Sequence, residues 1–597
     1  MAFRLINPRD LQFLLYELLT VERLAAYPRF AEHARTTFDA AIDTAARLAE
    51  SHFANHHRKN DLNEPRLVDG KVFIIPEVKA ALEAFAGAGF LAAHHAEARG
   101  GMQLPWVICQ ACAAHFLAAN IATYAYPFLT IAAANLIDAF GSDDQKTRYL
   151  PSLLDGRSCG TMVMSEPDVG SSLGDIRTTA HPLDDGRFAI RGTKMWISGG
   201  EHELSSNIIH LVLARIQGAP AGPKGLSLFI VPRFRLDDDD APGVPNDVAL
   251  AGLNHKMGYR GTVNTVLAFG EQDSCIGELI GGAGQGLAIM FHMMNEARIG
   301  VGLGAIMQGY AGYLYALDYA QTRLQGRSAG AKDPRQPPVP IIEHADVKRM
   351  LLAQKVVVEG GLALTLYAAF LVDRQKHDPD RAIRDRSGLL LDLLTPIIKA
   401  WGSDHALDAN SHAIQVLGGY GYTRDHPVEQ FYRDNRLNPI HEGTNGIQAI
   451  DLLGRKVMMD GGAALEVWLQ DASQTCRDAQ AAADLAEFAT ALDRALDRLR
   501  RTTRAVREDL GNAAALANAS IYLDMLGHTV IAWIWLWQAV IAHRALAAAG
   551  RNEQPFYRGK LAACRYVFRY ELPKTEPQAA LLQGLDTTCH DVAPCWL

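Results

Sequence analysis

The chain has 597 residues, 49% hydrophobic and 21% charged, with a net charge of −8. That is the profile of a soluble globular protein of several domains, and its acidic balance argues against nucleic acid or an anionic membrane as the main partner. Met1-Ala2-Phe3-Arg4-Leu5 runs straight into Asn7-Pro8-Arg9-Asp10, so no secretory leader is expected. No stretch reads as the roughly 20 apolar residues of a membrane span.

Residues 1–160 read as a helical domain. Asp10 to Leu19 carries apolar residues at helical spacing, and Ala-rich runs recur at 30–50, 79–98 and 107–139. Gly141-Ser142-Asp143-Asp144-Gln145 reads as a helix stop followed by an N-cap. The eight cysteines are spread thinly. Cys109-Gln110-Ala111-Cys112 fits C-x-x-C, but no second pair or His cluster completes a zinc site. Buried helical thiols in a reducing, cytoplasmic compartment are expected, with no metal ligands.

The texture changes near Gly160, and residues 161–272 read as a compact antiparallel β-domain. Phe188–Ile190, Asn207–Arg215 and Leu226–Val231 are strand-like runs bounded by Gly and Pro clusters, and Thr262–Phe269 reads as the last strand. The acidic run Asp237–Asp240 reads as a solvated loop.

Helical patterns return over 280–458, at 286–324, 344–376, 387–417 and 445–457, interrupted by the Pro-rich loop Ser328–Pro340. Gly281-Gly282-Ala283-Gly284-Gln285-Gly286 lacks the G-x-G-x-x-G spacing of a dinucleotide fold and reads as a flexible helix entry. After Asp460-Gly461-Gly462 comes an extra Ala- and Leu-rich region, 463–597, long enough for a bundle of its own; Thr529–Ala542, with Trp533, Trp535 and Trp537, reads as a buried helix.

Four motifs carry the chemistry. Met162-Val163-Met164-Ser165-Glu166-Pro167 opens the β-domain with hydroxyls and amides around a turn. Gly192-Thr193-Lys194-Met195-Trp196-Ile197-Ser198-Gly199-Gly200 offers an indole and a hydroxyl to a flat, polar-edged ligand. Gln415-Val416-Leu417-Gly418-Gly419-Tyr420-Gly421-Tyr422 allows close backbone approach. His441-Glu442-Gly443-Thr444 puts one carboxylate on an elbow before a helix, where it can act as a base on a weakly acidic C–H.

In this order and at these separations, the motifs resemble the acyl-CoA dehydrogenase family over about residues 75–455. The added helices and the Ser328–Pro340 insertion resemble its long subgroup, which includes 3-methylmercaptopropionyl-CoA dehydrogenases. The resemblance implies a mostly α fold with a helical N-domain, a central β-barrel-like domain and a four-helix C-domain, plus the C-terminal helical extension. It implies FAD as cofactor. Met162, Met164, Ser165, Ser171, Trp196, Ser198 and Thr444 would line the flavin. Arg323, Gln415, Gly418 and Gly419 would meet its diphosphate and adenosine from a neighbouring subunit. Ser171, Asn295, Arg298 and Gly443 would hold the acyl-CoA. Glu442 would take the α-proton while a β-hydride passes to flavin N5, giving a trans-2-enoyl-CoA as in fatty acid β-oxidation, with an electron-transfer flavoprotein as acceptor and a homodimer as the assembly. An oxidase that reduces oxygen, or a catalytically silent CoA- or partner-binding scaffold, are the alternatives. Three positions depart from the family: Gly446 where short members carry Gln, Asn295 where many carry Asp, and His441 in place of an aromatic.

Overall fold

The computed structural model describes residues 5–328, 330, 335–508 and 513–597, with the side chains of residues 291–295, 513 and 514 outside the description. The chain forms two compact units, one of Thr36–Leu104 with His115–Ala297, the other of Met1–Arg35, Pro105–Ala114 and Arg298–Leu597.

The first unit holds an eight-stranded sheet. Its strands are β1 (Ser158–Val163), β2 (Thr179–Pro182), β3 (Phe188–Ser198), β4 (Asn207–Ile216), β5 (Leu226–Pro232), β6 (Val248–Leu253), β7 (Asn264–Phe269) and β8 (Ile276–Ile280). They lie in the order β6-β7-β3-β8-β5-β4-β1, and β2 pairs with β3 and β4. β4 and β5 are almost wholly buried, which is why they read as unbroken β-branched and aromatic runs. Two expectations are corrected. β1 and β2 run parallel to β4, because the chain between β1 and β4 is long enough to return a strand in the same direction. The last strand is β8 rather than 262–269; its few residues lie between Cys275 and the glycines that begin at Gly281, too short to stand out by pattern.

The helical N-terminal region also contains an unexpected hairpin, Arg66–Val68 paired with Lys71–Phe73. Asp69 and Gly70 both take positive φ there, +50° and +77°, the left-handed pair that a tight hairpin turn requires. Ser142 caps the helix Asp143–Leu154 as expected: its side chain accepts from Gln145 N at 3.1 Å, and Ser142 N donates to Gln145 Oε1 at 3.1 Å.

The second unit is helical. Its elements include α1 (Trp106–Phe140, which begins here and continues into the first unit), α2 (Gly286–Thr322, which enters from it), α3 (Ala345–His377), α4 (Arg381–Leu417), the short α5 (Asn445–Asp451) and α6 (Ala519–Leu546). Asp373 caps α1, accepting from Trp106 N at 2.7 Å and Val107 N at 2.9 Å, where the orphan amides and helix dipole favour a carboxylate. Cys112 is buried and Cys109 half-buried on α1, and burial raises both thiols.

Contrary to the reading of apolar runs, α1, α3 and α6 are long and apolar enough to cross a membrane by length and composition. They are apolar all round because they are interior helices; most of each stretch is buried within the fold. The tryptophans of α6 satisfy their N–H groups inside: Trp533 donates to Thr475 and Trp535 to the Val356 carbonyl, both at 2.9 Å. Beside them Lys560 is fully buried, paired with Asp10 and Glu359 and donating to Gln538 Oε1 at 3.0 Å. This ionic cluster fastens the N-terminal segment and the C-terminal extension onto α3.

Candidate functional site

Glu442 has φ +54° and Gly443 φ +81°. A left-handed, non-Asn/Asp residue is costly, and such strain persists where the surroundings over-determine it. Here they do. Thr444 caps α5, accepting from Ile447 N at 3.3 Å. Gln448 on that helix donates to the Glu442 carbonyl at 3.1 Å. Asn445 reaches back to α4, donating to the Ala400 carbonyl at 3.2 Å and Ser403 Oγ at 3.1 Å, and accepting from Lys399 Nζ at 2.9 Å. The elbow is therefore held from both sides.

The Glu442 residue is half-buried. Burial raises its carboxyl above the ordinary range, while the positive charges of Lys399 and Arg298 oppose the rise. Arg298, on α2, is itself buried and donates to Asp451 Oδ2 at 2.9 Å; its Nε has no hydrogen-bond partner. The structure thus turns the guanidinium toward Asp451. His441 Nε2 lies 3.0 Å from Asn438 Oδ1, and burial, aided by Lys399, lowers its pKa to about 3. It stands beside the base as a neutral imidazole. Gly446 is exposed and open: a Cβ there would meet only Thr444 Oγ1, at 3.9 Å.

The first unit carries the other predicted residues. Met162 and Met164 are partly buried against the sheet's core. Glu166 accepts from Arg177 N at 2.8 Å, Thr178 N at 3.0 Å and Lys194 Nζ at 3.1 Å, and Lys194 also donates to the Met164 carbonyl at 2.9 Å. This locks the loop through Ser165 to β3, and the Met195 N–H adds a bond to the Ser165 carbonyl at 3.0 Å. Trp196 is 56% exposed with φ +66°, a strained residue that presents its ring outward. Ser198 accepts from Asn264 at 3.2 Å, and Ser171 is exposed.

In the second unit, Gln415, Gly418, Gly419 and Arg323 are all exposed. The Arg323 guanidinium lies 5.6 Å from the Tyr420 ring centroid, joining the end of α2 to the glycine turn after α4. Gly418 has φ +61°, and a Cβ on either glycine would meet nothing within 4 Å, so the turn leaves room for a ligand's approach. The side chain of Asn295 lies outside the described residues.

Sequence reading overlooked Lys399, Asn445 and the Glu166–Lys194 lock. For Lys399 a signal existed, a single cation in the apolar run Pro396-Ile397-Ile398-Lys399-Ala400-Trp401. It also overlooked His405, Asp524 and His528, whose ligand-type atoms lie within 4.8 Å of one another. Asp524 accepts from His405 Nε2 at 2.8 Å and Gln578 Nε2 at 2.6 Å, so both its oxygens are engaged within the fold.

The second unit thus holds the elbow carboxylate and the open glycine turn, and the first the exposed aromatic motif. Four family profiles cover the chain in order: the acyl-CoA dehydrogenase N-terminal domain over residues 37–157, middle domain over 161–271, C-terminal domain over 284–458, and an acetyl-CoA dehydrogenase C-terminal-like domain over 468–593. The chain is 35% identical over 563 residues to a 3-methylmercaptopropionyl-CoA dehydrogenase of Ruegeria pomeroyi, covering 93% of each chain. It is 34% identical to the broad-specificity linear acyl-CoA dehydrogenase FadE5 of Mycobacterium tuberculosis, covering 97% of each. Among solved structures, an acyl-CoA dehydrogenase of Bacillus anthracis complexed with FAD superposes with TM-score 0.74 at 18% identity, covering 93% of this chain and 89% of that one. The chain belongs to the acyl-CoA dehydrogenase family, in the form that carries an additional C-terminal domain. It is an oxidoreductase with FAD as cofactor and acyl-CoA thioesters as substrates.

Proposed function

We propose that the protein oxidises an acyl-CoA to the trans-2-enoyl-CoA, with Glu442 as the base that removes the α-proton. The observation that carries this reading is the strained Glu442 elbow, braced by Gln448 and Asn445, its carboxyl raised by burial and opposed by two buried cations. An α-proton of a thioester is a weak acid, so the base must meet it with its carboxylate ionised and aimed. The backbone N–H at the base would donate to the thioester carbonyl as negative charge develops on its oxygen.

Residues of each unit suit FAD by their chemistry: in the first, an exposed indole at Trp196 and hydroxyls at Ser165 and Ser198; in the second, the open turn Gly418-Gly419 beside Arg323. When bound, FAD would supply the acceptor for the β-hydride. Met162, Met164, Ser165, Trp196, Ser198 and Thr444 would hold the ring. Arg323, Gln415, Gly418 and Gly419 would serve the diphosphate and adenosine of a neighbouring subunit in a homodimer. Ser171 would meet the CoA portion. The sequence also assigned Arg298 to CoA; its burial and Asp451 pair favour a charge acting on Glu442 instead. An electron-transfer flavoprotein as acceptor and a cytoplasmic location complete the reading.

The test is anaerobic mixing of the FAD-loaded protein with a panel of straight-chain, branched and thioether acyl-CoAs. The reading expects bleaching of the flavin band with one equivalent of enoyl-CoA, and slow reoxidation by oxygen. Rapid, stoichiometric hydrogen peroxide formation in air would make it an oxidase, and no bleaching by any acyl-CoA would leave a silent scaffold.

A further inference from the structure

Lys399 is fully buried in the middle of α4 and forms no ion pair among the described residues. The other buried lysines differ. Lys194 sits on Glu166, Lys456 on Asp392, and Lys560 on Asp10 and Glu359. Burying an unpaired ammonium is costly, so a fold that keeps one invites a functional explanation. The partner it does have is informative. Lys399 Nζ donates to Asn445 Oδ1 at 2.9 Å, and Asn445 follows the elbow Glu442-Gly443-Thr444 directly.

The charged and titratable groups around the base come from three elements. Arg298 of α2 is engaged with Asp451, which is also bound by Arg455. Asp404 of α4 is bonded by Asn445; burial raises its carboxyl, opposed by His405, by that bond and by Lys399. His441 is neutral. Burial lowers the Lys399 pKa to about 8, while the charges of Asp404 and then of Glu442 oppose the fall. Lys399 is therefore a cation near the base with no carboxylate bonded to it among the described residues, whereas Arg298 is paired with Asp451.

We propose that Lys399 is a positioning residue: its ammonium charge holds the Glu442 carboxylate ionised as water leaves the site, and its bond to Asn445 fixes the elbow. This rests on Glu442 being the base. Loss of the charge leaves burial unopposed on that side, so Glu442 keeps its proton to higher pH.

The experiment measures the pH dependence of kcat/KM on FAD-loaded protein, with butyryl-CoA as substrate and ferrocenium as acceptor, for wild type, Lys399→Gln, Lys399→Met and Lys399→Arg. Both neutral variants are expected to move the midpoint of the acidic limb up by about one pH unit, with FAD content retained and rates converging on wild type above it. Lys399→Arg, which keeps charge and donor, is expected to hold the wild-type midpoint. A uniform loss at every pH, with the midpoint unmoved, would make Lys399 merely structural and overturn the proposal. Where a neutral variant fails to fold, Lys399→Arg decides alone: a midpoint raised despite the retained charge overturns it, and an unchanged one supports it. Glu442→Gln separates the two ideas. If it is inactive while Lys399→Gln leaves the limb in place, only the role of Lys399 falls; if it is active, the base assignment falls first.

Discussion

Lys194 Nζ lies 3.1 Å from Glu166 Oε1, with both side chains out of solvent. The pair joins two of the four motifs: Glu166 belongs to the loop after β1, Lys194 to β3 two residues before Trp196. Burial would raise the Glu166 carboxyl, but Lys194 and the Thr178 and Arg177 hydrogen bonds outweigh it and hold the group below its usual range. The strand that presents the indole and the loop that carries Met164 and Ser165 are thus one rigid piece.

Lys194→Met is expected to leave Glu166 as an uncompensated buried charge. Breaking such a pair costs about 3–5 kcal/mol, so chemical denaturation should show a loss of that order. The flavin-to-protein ratio should fall with it, because the loop loses its anchor at the Met164 carbonyl. A variant as stable as wild type would show that the pair is not holding the loop.

Gly443→Ala should damage activity more than stability. Gly443 has φ +81°, and an added Cβ would stand 2.7 Å from Gln448 Nε2, the group that holds the Glu442 carbonyl. Left-handed backbone costs an L-residue roughly 1–2 kcal/mol, and the clash displaces the brace. We expect kcat/KM to fall at least about tenfold, the rate equivalent of 1.4 kcal/mol, with FAD content unchanged. Full activity would mean the elbow tolerates re-aiming.

Histidine 405 gives a pH test of the helical unit. Burial would lower it, but Asp408 and Asp524 outweigh burial and raise it to about 9, against about 6.5 for the unfolded chain. A group raised on folding stabilises fully below its unfolded pKa and loses that contribution as pH rises through its folded value. Asp524 is depressed, so its share is present above about pH 4 and lost on further acidification. The melting temperature of His405→Gln should therefore fall furthest below wild type between about pH 4 and 6.5, and the gap should close as pH passes 9. A gap independent of pH would mean His405 is not charged in the fold.

How legible the protein was depended on the range of each interaction. The motifs around Glu442, Trp196 and the glycine turn stand out because each is written in neighbouring residues. So does the Ser142 cap, complete within four residues. The parallel pairing of β1 with β4 does not, since it joins residues some 49 positions apart, as Thr161 and His210 are. The interior helices α1, α3 and α6 misled for a related reason: hydropathy registers burial without saying what does the burying. Lys399 escaped because a lysine in an apolar helix shows neither its neighbours nor the partner it lacks.

Glu442→Gln tests the role of Glu442 as the base most directly. The substitution keeps size and hydrogen-bonding capacity while removing the charge. The variant should bind FAD as wild type does and form a complex with acyl-CoA, yet fail to bleach its flavin under anaerobic conditions. Bleaching at the wild-type rate would contradict the account.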